Sequence, residues 1–181
     1  MTTVNVRLRG KSLTIAGLLA LAAGLAPTLA FPAAAHPTAT EARTAPACMT
    51  SQLRGSIGIV EGGAGSVFTT LILRNTGAVC TVSGFPGVSL VAEAGRRIGR
   101  PARWQDDGVP IRRITLLPNA AASTILRTLN PGVGTTDCLP PSVGIRVYPP
   151  NRTAALFVPV RLSYCLQSFD VRPLVAGTTG Q

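Results

Sequence analysis

Histidine and lysine are almost missing from this chain of 181 residues: His36 is the only histidine and Lys11 the only lysine. Both precede everything that reads as folded. A Ser-His-Asp, Cys-His or Ser-Lys nucleophilic site is therefore not available to the body of the protein. Histidine-ligated metal is excluded on the same ground, and neither a metal nor a cofactor is expected. Aromatic residues make up only 4%, with a single tryptophan, Trp104. That is too few for a platform of stacked bases, so nucleic acid is not an expected partner. The glycine-rich "EGGAGS" lacks the lysine and following helix of a phosphate-binding loop. Sustained helical periodicity is absent beyond the N-terminal segment, and the length suits one domain.

What is present begins with an export signal. Arg7, Arg9 and Lys11 precede the apolar run "SLTIAGLLALAAGLAPTLA", and "FPAAAHP" offers small residues for cleavage after Ala35. Basic, apolar and Ala-x-Ala segments in that order read as a secretory signal peptide over 1–35. The competing reading is an uncleaved anchor. Pro27 interrupts the run, which is marginal for the roughly 20 residues that a membrane span needs. No span is expected after cleavage, and residues 36–47, "HPTATEARTAPA", read as a disordered lead-in. Beyond Ala35 stand fourteen arginines against seven acidic residues, a net charge of +7. Such a surface favours anionic partners. Arg-only usage with abundant Ala, Gly and Pro also fits a GC-rich genome, which explains arginine in place of lysine but not the excess of positive charge.

Cys48, Cys80, Cys138 and Cys165 lack the short paired spacing of zinc sites, and an exported chain meets an oxidising compartment. Two disulfides follow. Short β-like runs over 52–60, 66–74, 78–82, 87–93, 111–117, 121–129, 142–148 and 154–164 are separated by Gly, Pro and Asn. Seven or eight such strands indicate an all-β antiparallel sandwich over 48–173, with 174–181 as a flexible tail.

The strand registers select the disulfide pairing. In "SVGIRVY", Val143, Ile145 and Val147 share one face. An antiparallel register of constant sum that sets them opposite Val160, Val158 and Leu156 also sets Cys138 opposite Cys165. In the first hairpin, Cys48 and Cys80 are equidistant from Ala64, which puts Ile57 opposite Leu71 and Val60 opposite Phe68. Gly55 and Gly58 allow a bulge to shift this second register. The pairing is then Cys48 with Cys80 and Cys138 with Cys165. Each closure stabilises by roughly 3–4 kcal/mol in a chain-entropy account.

"RNTGAVCTVSGFPGVSL", with Asn75, Thr76, Gly77, Cys80, Gly84, Phe85, Pro86 and Gly87, resembles the actinobacterial secreted family called domain of unknown function 4232. The likeness lies in the order of motifs: a leading cysteine, an Asn-x-Gly turn before a second, a Gly-aromatic-Pro turn, and two later cysteines flanking a hairpin. It spans Cys48 to Pro173, although "ASTILRTLN" lacks the tryptophan that members often carry before the third cysteine. The resemblance implies an immunoglobulin-like sandwich in an envelope or extracellular setting, and it brings no activity with it.

For chemistry, six carboxylates remain in the folded part: Glu61, Glu93, Asp106, Asp107, Asp137 and Asp170. Two of them converging in a cleft would suit a glycosidase-like hydrolase, the alternative to a non-enzymatic module. A protease inhibitor presenting "QDDGVP" or "LNPGVGTTD" is a third reading. "NRT" at Asn151–Thr153 is read as a hairpin tip. The leading candidate site is "RRIGRPARWQDDGVPIRR", where Arg96, Arg97, Arg100, Arg103, Arg112 and Arg113 surround Trp104 in an expected loop. Arginines beside an aromatic suit phosphate or carboxylate groups, so the expected partner is an anionic envelope polymer, a lipid head group or a protein. The plainer reading has Trp104 covering a sheet edge and the arginines solubilising the loop.

Overall fold

Alternating apolar and polar residues make the stretch after Cys48 fold almost wholly as extended chain. The computed structural model describes residues 45–131 and 137–181. The expected signal peptide (1–35) and the lead-in through residue 44 lie outside the described residues. In chain order the strands are β1 Leu53–Gly63, β2 Ser66–Asn75, β3 Cys80–Val82, β4 Gly87–Val91, β5 Arg97–Ile98, β6 Arg103–Trp104 and β7 Ile114–Leu116. They continue as β8 Ala121–Leu129, β9 Cys138–Leu139, β10 Gly144–Tyr148, β11 Leu156–Pro159, β12 Tyr164–Cys165, β13 Phe169–Val171 and β14 Val175–Ala176. Among the described residues there is no α-helix, only 3-10 turns at Thr50–Gln52 and Glu93–Gly95.

Strands β1, β2, β8, β13 and β6 lie side by side, and β14 joins the same sheet through β8. A second sheet has the order β11-β10-β4-β5, and the pairs β12/β9 and β3/β7 stand apart. The first sheet is mixed, because β6 runs parallel to β13; the sequence pattern alone predicts only antiparallel pairing. Leu71, Leu73, Leu126, Phe169 and Val171 of the first sheet share one buried cluster with Val88, Leu90, Ile145, Val147 and Val158 of the second. The two approach closely at Gly55, where an added Cβ would lie 2.4 Å from Val158 Cγ2.

Both disulfides, Cys48–Cys80 and Cys138–Cys165, form as the registers predict. Ile145 faces Val158, Val147 faces Leu156, and Cys138 sits directly opposite Cys165. The predicted 154–164 strand nevertheless splits into β11 and β12. Between them the Ser142 hydroxyl donates to Val160 O (2.9 Å) and accepts from Leu162 N (3.0 Å). The hydroxyl interrupts the ladder there beside a single backbone bond from Ser142 N to Leu162 O, the regular strand starts only at Gly144, and Val143 is exposed rather than inward with Ile145 and Val147.

In the first hairpin Ala64 (φ 46°) and Gly65 (φ 73°) form a two-residue turn with both φ positive, which matches the twist of the strands. Ile57 faces Leu71 as predicted, but a bulge before Val60 brings Val60 opposite Thr69 and Glu61 opposite Phe68. The ladder ends at Leu53–Asn75, so the first disulfide does not extend it. Instead Ala47 bridges Thr81 in parallel, with Cys48 N donating to Thr81 O (2.9 Å) and Thr81 N to Pro46 O (2.8 Å). The end of the predicted disordered lead-in is thus bonded to the domain.

Asn75, fully buried at the end of β2, ties this corner together. Its Nδ2 donates to Ala78 O (2.8 Å) and Leu116 O (3.0 Å), and its Oδ1 accepts from Gly77 N (2.9 Å). Its backbone N–H donates to Ala120 O and its carbonyl accepts from Asn119 N. One side chain therefore shapes the Asn-x-Gly turn and fastens β7 to it.

The C-terminal residues 174–181, predicted as a flexible tail, are also placed. Strand β13 covers only Leu126–Thr128 of β8, so the other half of that edge is open, and β14 pairs there with Ala122 and Ser123. Leu174 is buried, and Gly180 N donates to Ser123 Oγ (2.8 Å).

Asn75→Leu keeps the branched outline of the side chain but leaves Leu116 O and Gly77 N without their partner. It is expected to lower unfolding free energy by about 2–4 kcal/mol, read as a reduced denaturant midpoint at unchanged slope.

Candidate functional site

The segment 96–113, predicted to be a loop, is the crossing from one sheet to the other. It supplies edge strand β5 to the four-stranded sheet and edge strand β6 to the six-stranded one. Ile98 is buried and anchors the first edge. Gly99 follows at φ 61°, and an added Cβ there would lie 2.5 Å from the Tyr164 ring, so the position needs glycine on both counts. Arg100 N donates to the Tyr164 hydroxyl (3.1 Å), Ala102 N to Val88 O (2.8 Å) and Gln105 N to Val171 O (2.9 Å). The backbone carrying the arginines is therefore fixed at several points.

The seven candidate side chains fall into three groups. Arg96, Arg97 and Arg100 are exposed around β5, and Arg100 lines a cleft of about 190 Å³ with Asp137, Leu139, Tyr164 and Gln167. Arg103 and Trp104 are consecutive on β6, so strand alternation sends them to opposite faces. Arg112 and Arg113, exposed ahead of β7, line another cleft of about 370 Å³.

Arg103 is engaged by the fold. Asp170, whose side chain is 6% exposed, sits on β13 between Arg103 and Arg127 in the neighbouring strands. Arg103 Nη2 and Nε lie 2.9 and 3.0 Å from Asp170 Oδ1, and Arg127 Nη1 lies 3.3 Å from Oδ2. Arg127 Nε also donates to Ser66 Oγ (3.0 Å). A buried carboxylate is tolerable because two guanidiniums meet it. Trp104 does not fold away: it is 68% exposed, with one face stacked on Phe85 at a centroid distance of 5.3 Å and 12° between planes. Phe85 comes from the "GFPG" turn, where Gly84 has φ 93°. That partnership, and the Asp170 pair, escape sequence reasoning because they join positions far apart in the chain.

Among the described residues, seven arginines make neither an ion pair nor a side-chain hydrogen bond: Arg54, Arg96, Arg97, Arg100, Arg112, Arg113 and Arg161. Five of the seven belong to 96–113. The carboxylates are dispersed, with only Asp106 and Asp107 inside that segment. Glu61 is on β1, Glu93 in a 3-10 turn and Asp137 just before β9. Asp106 accepts from Gly108 N (3.0 Å), and Asp107 pairs with Arg172. No group of three or more His, Cys, Asp or Glu able to hold a metal occurs among the described residues. Nor, among them, is any helix long and apolar enough to cross a membrane.

Cysteine pairing, the Asn75 turn and the Gly84–Phe85–Pro86 turn are the features that the resemblance rests on, and residues 48–175 match the family profile described as "Domain of unknown function (DUF4232)". The chain belongs to this family. The DUF4232 match opens on Cys48 and closes within β14, so it takes in both disulfides, Asn75, and the whole segment 96–113. No curated protein and no solved structure matches the chain. Two disulfides in the DUF4232 domain point to an extracytoplasmic compartment.

Asp170→Asn removes the charge that two strands converge on. A loss of about 1–3 kcal/mol in stability is expected, against no measurable change for the exposed Asp106→Asn, both read by chemical denaturation.

Proposed function

We propose that this chain is an exported, non-enzymatic module that binds a phosphate-bearing anionic polymer of the actinobacterial cell envelope. The observation that carries the proposal is the set of exposed, unpaired arginines on a fixed backbone, above all Arg96, Arg97 and Arg100. A guanidinium already paired with a carboxylate has little left to offer a ligand. One without a partner, carried on a fixed backbone, can meet phosphate with two parallel hydrogen bonds, and binding then has only the side chain to order and not the chain that carries it. Exposed Trp104, braced by Phe85, adds a flat surface for a sugar or linker of such a polymer.

Export is supported by the segment 1–35, and retention at the wall or release to the medium fits the same partner. An immunoglobulin-like sandwich is the finer reading of the fold. Its support is two sheets that share one core, with strands β1, β2 and β8 packed across from β4 and β10. The non-enzymatic reading is supported by the residue inventory and by the employment of acidic groups. His36 and Lys11 precede the domain, and Asp107 and Asp170 are engaged by arginines.

Titration of the purified protein with long-chain polyphosphate is expected to give binding that weakens steeply between low and moderate salt. Arg96→Gln, Arg97→Gln and Arg100→Gln together, with Arg103 left to Asp170, are expected to weaken it roughly tenfold or more. Equal affinity of this triple variant and the parent would remove the segment from the proposal.

A further inference from the structure

The cleft lined by Arg112 and Arg113 has a different character from the rest of the surface. Its walls are Val109 and Pro110 on one side and Leu174, Val175 and Ala176 on the other, with Ile114 between. Leu174 and Ile114 are core residues, 1% and 8% exposed, so the floor of the cleft is the edge of the hydrophobic core itself. The two walls come from segments far apart in sequence. The ion pair between Arg172 and Asp107 ties together the chain stretches that lead into them. Strand β14 is fixed to β8 through Val175 and Ala176, while Val109–Arg113 lies outside every strand and follows the Asp106–Gly108 turn.

At about 370 Å³ the cleft falls at the small end of the range for small-molecule sites, roughly 300–1,000 Å³. Apolar walls with a few convergent polar groups are the usual composition of such sites. Here the polar residues are Arg112, Arg113 and Thr115, and neither arginine has an ion pair among the described residues. A small polar anion would gain nothing from Val109, Ile114 or Leu174. A neutral hydrocarbon would displace water from the arginines without replacing its hydrogen bonds. A single hydrocarbon chain bearing one anionic head satisfies both halves of the cleft.

We infer that this cleft binds a free single-chain acyl carboxylate, with the chain against Val109, Ile114, Leu174 and Val175 and the carboxylate on Arg112 and Arg113. The site shares with the polymer-binding proposal only its reliance on unpaired arginine, and it uses different residues. The two activities are therefore separable.

Calorimetric titration of the purified protein with dodecanoate below its micelle concentration is the test. Saturable binding at one molecule per chain is expected, with dodecanol and acetate each roughly tenfold or more weaker. Arg112→Gln with Arg113→Gln is expected to bring dodecanoate down to the level of dodecanol. Ala176→Trp, at an exposed position, fills the cleft and is expected to abolish dodecanoate binding while polyphosphate binding persists. Dodecanoate bound no better than acetate by the parent protein, or bound undiminished by Ala176→Trp, overturns the inference. Either result leaves the polyphosphate outcome to be read independently, because Arg96, Arg97 and Arg100 are intact in every variant here.

Discussion

A single buried amide governs how this molecule closes at one corner. Asn75 has no exposed surface, yet all its hydrogen-bonding groups are met: both side-chain groups by the turn that follows, and others by β7 and by the 117–120 connection. A carboxamide in an apolar interior is destabilising unless every such group finds a partner, and here that demand fixes the relative placement of three segments. Cys80 leaves the turn two residues after Ala78, and its strand β3 pairs with β7, whose Leu116 carbonyl Asn75 also holds. The disulfide to Cys48 then locks an arrangement that hydrogen bonding has already set.

The charges follow a related logic. Acidic residues are few, and the most buried of them, Asp170, is neutralised within the fold by strands on both sides. Asp107 is likewise spent on Arg172. Asp170 and Asp107 take up Arg103, Arg127 and Arg172, and the arginines in excess of the acids are left facing solvent. They gather on the crossing between the sheets, where edge strands and turns leave side chains free of packing duties. The basic character of the surface comes from the excess of arginine, and the acids used in the fold decide which arginines are left unpaired.

Much of the architecture is legible in the sequence, and the limits have physical causes. Constant-sum pairing finds Cys138–Cys165 because Ile145, Val147, Val158 and Leu156 alternate cleanly, and it finds Cys48–Cys80 even though the chain reaches that bond by a parallel bridge. It fails at Val60 and Val143, where a bulge and the Ser142 hydroxyl break the period of two on which such reasoning rests. Strands of two residues, such as Arg97–Ile98 and Arg103–Trp104, carry no periodicity at all, so a segment rich in Arg, Pro and Gly reads as loop. The order of residues after Pro173 is set by the vacant half of an edge on β8, which no local pattern announces. The arginines of the candidate site are plain in the sequence; Phe85 beneath Trp104, Asp170 beneath Arg103, and the apolar walls beside Arg112 and Arg113 depend on long-range packing.

The sulfur bonds also have a mechanical meaning. Each spans the open end of a folded-back ribbon, with separations of 32 and 27 residues along the chain. Tension applied to the termini passes across these bonds and bypasses the enclosed stretches, which bear no load. At roughly 3.4 Å per residue, about 200 Å of contour is withheld from extension even after every hydrogen bond has given way. Pulled from its two ends, the polypeptide is a shorter tether than its residue count implies.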